Sequence, residues 1–200
     1  MTSASVRAFA LRPALALRLH ARCITELAPA AHAVVTSSHA PLTGSFYQTI
    51  LLYHEGAARR VRLRADRGAA RAAADRQGLW RAARHVVHCV SPRCPWGAEA
   101  ADAAQLAALQ ATYAAALECA DGLGAASVVL PAVGAGVCNY PPVQAAAAAL
   151  AACQAFAAGT AETGSTFSAM REISFSLFSP ATVSAFGEAA AADGLRETAP

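Results

Sequence analysis

Two hundred residues at 20.4 kDa, 56% hydrophobic and only 14% charged, suit one compact domain with a sizeable core and leave little room for a second. A net charge of +3 falls well short of a dedicated nucleic-acid binder, and no run of about 18 uninterrupted apolar residues offers a membrane span. Alanine exceeds a quarter of the chain and lysine is absent, so all 16 basic residues are arginine.

The first 25 residues carry Arg7, Arg12, Arg18 and Arg22 with no acid before Glu26, the composition of an organellar transit segment. The alternation of Leu15, Leu17 and Leu19 with Ala16, Arg18 and His20 instead has the period of two of a half-buried strand, which argues against targeting. Residues 1–12 read as a poorly ordered lead, residues 13–193 as a single domain and residues 194–200 as a tail. Strands are expected at 15–20, 33–36, 61–64, 85–90, 127–130 and 173–178, each short and rich in β-branched, aromatic or leucine residues. Helices are expected at 98–121, 143–158 and 181–192, built largely of alanine, the best helix former. Gly122 and Gly124 close the first, Pro141 and Pro142 open the second, and Pro180 opens the third. Residues 159–165, rich in Gly, Thr, Ser and Glu, read as a loop. Strands and helices taking turns predict a layered α/β domain.

Cys23, Cys89, Cys94, Cys119, Cys138 and Cys153 lie scattered in apolar stretches of a chain long enough to fold without disulfides. They read as reduced thiols of an intracellular protein, cytoplasmic or nuclear. His85, His88, Cys89 and Cys94 do not make a metal site, because on a strand His88 points away from His85 and Cys89. Ten arginines lie between Arg59 and Arg93 and could meet phosphates, but no aromatic residue interleaves the densest stretch, RRVRLRADRGAAR at 59–71, for base stacking, so a solvated surface is favoured over nucleic acid.

The most informative stretch is SVVLPAVGAGVCNYPPVQ, residues 127–144, an apolar strand running through a glycine-containing turn into a proline-started helix. Gly134 and Gly136 lack a Cβ, so an anion can approach successive N–H groups between Val133 and Cys138. Such a turn at the carboxyl end of a strand is where open α/β sheets bind ligands, and it serves equally as an ordinary strand-to-helix connection. Without lysine it is no GxxxxGK[ST] loop.

LPAVGAGVCNYP, residues 130–141, resembles the second ligand loop of the macrodomains, matching in length and in Pro131, Ala132, Gly136, Tyr140 and Pro141. HVVHCVSP at 85–92, LQATYAAALECADGLGAASV at 109–128, ISFSLFSPATVSAF at 173–186 and LALRLHARCITELAPAAHAVVTSS at 15–38 resemble further family segments in the expected order. The resemblance implies a three-layer α/β/α fold around a mixed, mostly parallel sheet. It also implies binding of ADP-ribose or an ADP-ribosylated protein through Val133, Gly134, Ala135, Gly136, Val137 and Cys138. Ile24, His39, Gly44 and Phe178 are secondary contacts by the same resemblance; no cofactor, metal or membrane is implied.

Departures from the family pattern bear on activity. The Gly-Asp-Ile turn is replaced by Arg22, Cys23 and Ile24, which removes the acceptor for the adenine amino group, a bond worth about 1.5 to 3 kcal/mol. Thr36, Ser37, Ser38 and His39 stand where the asparagine segment faces the distal ribose, and the glycine-rich first loop shrinks to LTGSFYQT, with Gly44 its only glycine. No acidic residue lies between Leu27 and His54, so the aspartate that positions water in hydrolytic members has no counterpart. Binding without the usual hydrolysis is the leading expectation. The alternatives are a protein-interaction module that binds no nucleotide, and an ADP-ribosyl hydrolase or phosphoesterase with a substituted group such as His39, which would act as base to Cys138 where the fold brings the two loops together.

Overall fold

A computed structural model describes residues 6–27, 30–38, 72–75, 83–96, 98–162 and 168–198. In chain order these form β1 (Val6–Arg12), β2 (Leu15–His20), α1 (Ile24–Leu27), β3 (Ala33–Ser38), β4 (Ala72–Asp75) and β5 (His85–Val90). Then follow α2 (Ala103–Gly122), β6 (Ser127–Pro131), α3 (Pro142–Glu162), β7 (Glu172–Ser176), α4 (Pro180–Ala192) and β8 (Glu197–Thr198).

The strands make one sheet in the order β4-β5-β3-β6-β7-β2-β1-β8. Pairing is parallel from β5 through β3, β6 and β7 to β2, and antiparallel at both flanks. Central β6 and β7 are buried on both faces, as a covered parallel sheet requires, whereas β2 buries only Leu15, Leu17 and Leu19. One face carries α2, α3 and α4 over a core in which Phe175 meets the rings of Tyr113 and Phe186 at 6.0 and 5.0 Å. On the other face Ile24 and Leu27 of α1 pack against Ala31, Val34, Ala83 and Val129. The result is the three-layer α/β/α arrangement around a mixed, mostly parallel sheet.

Helix ends follow local chemistry. Asp102 caps α2 by a reciprocal pair of 2.8 Å bonds with Gln105, so the helix starts at Ala103 and not at 98. Ser179 caps α4 and Pro180 takes its first position, which stops β7 two residues earlier than its apolar run suggests. The loop expected from 159 is helix through Glu162, and residues 163–165 lie outside the described part. α3 is long and apolar enough to cross a membrane, yet Ala145, Ala149, Leu150 and Cys153 are spent in the core against α2 and α4.

Residues 6–12, expected to be loop, form β1, and β8 pairs with it from within the expected tail. The period of two in β1 is broken by a register shift between Ala10 and Arg12, and its turn to β2 uses Ala14 at φ 67 where a glycine would have signalled a hairpin. The strand expected at 61–64 lies outside the described residues.

On the α1 face of β2 and β7, His20 Nε2 lies 3.2 Å from Ser174 Oγ, which donates to Glu172 Oε1 at 2.8 Å. Arg18 Nε sits 3.1 Å from Glu172 Oε2, close enough for ion pairing though not aligned as a hydrogen bond. Burial lowers the His20 pKa below its ordinary 6.5, with Glu172 opposing and Arg18 and Arg22 assisting. The unfolded imidazole therefore takes its proton first, and the native state loses stability as pH falls through about 6.5 while keeping it above. Urea unfolding at about pH 5 and about pH 8 should show this slope, and His20→Gln should flatten it.

Candidate functional site

The loop between β6 and α3 emerges at the middle of the carboxyl edge of the sheet, since β6 is flanked by β3 and β7. Its own carbonyls take part of its donors: Val133 N–H donates to Pro131 O at 2.9 Å and Ala135 N–H to Ala132 O at 3.2 Å. Asn139 N–H donates to Gly136 O at 2.9 Å and Tyr140 N–H to Gly134 O at 3.0 Å, which rolls the chain into a compact turn. Among the described residues, the N–H groups of Gly134, Gly136, Val137 and Cys138 have no protein acceptor. Of the six residues read from the sequence as a cradle, four thus keep donors without an acceptor among the described residues; those of Val133 and Ala135 are already spent. Gly136 and Val137 are exposed, whereas Gly134 and Cys138 are buried.

Four bonds fix the loop from outside. The fully buried Tyr113 Oη donates to Val133 O at 3.0 Å, and Tyr140 Oη donates to Gln105 O at 3.1 Å, so α2 holds both ends. Cys94 N–H donates to Cys138 O at 2.8 Å and Asn139 Nδ2 to Pro95 O at 2.9 Å, strapping the segment after β5 alongside. Gly134 has φ +90, and a Cβ there would lie 3.1 Å from Leu109 and Tyr140 carbons. A Cβ on Gly136 would meet nothing within 4 Å.

Sequence reasoning missed Tyr113 and Asn139. The signal was faint: Tyr113 is a lone tyrosine on an alanine-rich helix, and Asn139 occupies the left-handed region at φ 63, where asparagine is favoured.

The remaining candidates divide. Phe178 leaves the end of β7 with its ring 83% exposed and lines a groove of about 440 Å³ with Ala21, Leu177, Pro180 and Val183. Leu177 N–H donates to His20 O at 2.9 Å and Ser176 Oγ to Arg22 O at 2.7 Å, so the segments after β2 and β7 share one edge. Ile24 belongs to that neighbourhood by backbone, but its side chain packs into the second core cluster. His39 and Gly44 lie outside the described residues, as do all the arginines from Arg59 to Arg81. His88 Nδ1 sits 2.8 Å from Thr36 Oγ1 across β3 and β5.

Burial pushes the Cys89 and Cys153 thiols up to about 12, so neither is a thiolate nucleophile near neutrality. Cys138 is 7% exposed and its side chain has no hydrogen-bond partner among the described residues. The main-chain donors of this loop are of the kind that can hold an anion.

A Macro domain family model matches residues 69–149. The chain is similar to the Oceanobacillus iheyensis macrodomain with ADP, at 18% identity and TM-score 0.70 over 96% of this chain and 97% of that one. It is similar to the macro domain of ganglioside induced differentiation associated protein 2 at 17% identity and TM-score 0.65, covering 87% and 82%. A Trypanosoma brucei macrodomain in complex with ADP gives 18% identity and TM-score 0.64, covering 90% and 72%. No curated protein matches in sequence. The chain thus resembles the Macro domain family over its middle stretch and has the macrodomain fold over nearly its whole length.

Proposed function

We propose that this protein binds ADP-ribose, free or attached to a protein, and holds the diphosphate on the loop after β6. The observation that carries this reading is the set of open N–H donors at Gly134, Gly136, Val137 and Cys138, beside a glycine with free space over it. The first turn of the 21-residue α3, which begins at Pro142, adds partial positive charge nearby. Similarity to macrodomains holding ADP supports the same ligand class. The groove at Phe178 takes the adenine, with its exposed ring as the stacking surface.

Hydrolysis by an aspartate-positioned water is not part of this reading, because no acid occurs between Leu27 and His54. Titration calorimetry with ADP-ribose tests the reading. Saturable one-to-one heat is expected, and the absence of heat at millimolar ligand from a folded sample would leave a macrodomain fold used for protein contacts alone.

A further inference from the structure

We propose, resting on the nucleotide reading above, that Trp96 is a specificity residue that contacts the polypeptide to which the bound ADP-ribose is attached. Among the described residues the large apolar side chains left exposed are Trp96 at 78%, Val137 at 79%, Val143 at 61% and Phe178 at 83%. Trp96 and Phe178 follow the carboxyl ends of β5 and β7, Val137 belongs to the loop of open amides itself, and Val143 stands on the first turn of α3 that follows it. Large apolar side chains left in water and gathered at one edge mark a contact surface.

Position within that edge separates the roles. The order β5-β3-β6-β7 sets the strand that leads to Trp96 and the strand that leads to Phe178 on opposite sides of β6. A ligand whose base lies at Phe178 and whose diphosphate lies on the loop after β6 therefore runs its far end toward β3 and β5. What continues past that end is the carrier, and Trp96 with Val137 stands there. The segment is held in place: the 2.8 Å bond from Cys94 N–H to Cys138 O and the 2.9 Å bond from Asn139 Nδ2 to Pro95 O tie it to the loop. A tryptophan carried next to a bonded segment is the kind of side chain that dominates protein contacts.

The test compares free ADP-ribose with a short peptide mono-ADP-ribosylated on one side chain, titrated into the wild-type protein and into Trp96→Ala. Thermal unfolding should stay in place, since the ring is exposed. The wild type should bind the conjugate roughly tenfold tighter than the free nucleotide, and Trp96→Ala should erase that advantage while changing free ADP-ribose by less than about twofold. Trp96→Phe should restore part of the advantage. Equal wild-type affinity for both ligands would overturn the proposal while leaving the nucleotide reading intact. So would an equal loss for both in Trp96→Ala, which would put the indole on the nucleotide itself. No binding of free ADP-ribose would bring down the parent reading and this inference with it.

Discussion

Gly136→Glu leaves the protein folded and abolishes ADP-ribose binding. Nothing lies within 4 Å of a Cβ built on Gly136, and its φ is not in the left-handed region, so the side chain is accommodated without strain. The space it enters is the space assigned to the diphosphate. A carboxylate there excludes the ligand by volume and by like charge, with a loss of about a hundredfold or more. Gly136→Ala separates the two causes, because one methyl group adds no charge; its binding should weaken by less than about tenfold. Calorimetry reads the affinity and differential scanning calorimetry the fold. Wild-type affinity in Gly136→Glu would remove the diphosphate from this loop.

Gly134→Val destabilises the protein by about 2 to 5 kcal/mol, the sum of a left-handed backbone cost of about 1 to 2 and an overpacking cost of about 1 to 3. The two neighbouring glycines thus play different parts. Gly134 sits at φ +90, a conformation a β-branched residue resists, and its Cβ would press on Leu109 and Tyr140 at 3.1 Å. Tyr140 cannot yield freely, because its hydroxyl is bonded to Gln105 O and its N–H to Gly134 O. Chemical denaturation should show the loss, and any remaining ADP-ribose affinity should fall with it, since the same turn aims the open donors. A variant as stable as the wild type would mean that the turn is not held as described.

Much of this architecture is written in local pattern. The strict alternation of 15–20 and the β-branched run of 85–90 gave both strands to the residue, and Pro180 fixed the start of α4 within one residue. What stayed hidden depends on distant partners. β1 is obscured by its register shift, β4 reads AAAD and carries no strand signal, and β8 is two residues long. At the site, glycine spacing located the loop but could not tell which amides are spent. That is decided by the turn's own carbonyls and by anchors such as Tyr113, twenty residues away from Val133. The use of Ile24 in packing was equally out of reach, because it follows from how α1 meets Val34 and Val129.

The central claim is that open main-chain donors after β6 receive the diphosphate, and backbone amide NMR tests it residue by residue. On titration with ADP-ribose the account predicts the largest amide proton shifts at Gly134, Gly136, Val137 and Cys138, with Val133 and Ala135 moving less because their donors are already bonded. Saturable binding that leaves those four amides unmoved would contradict it.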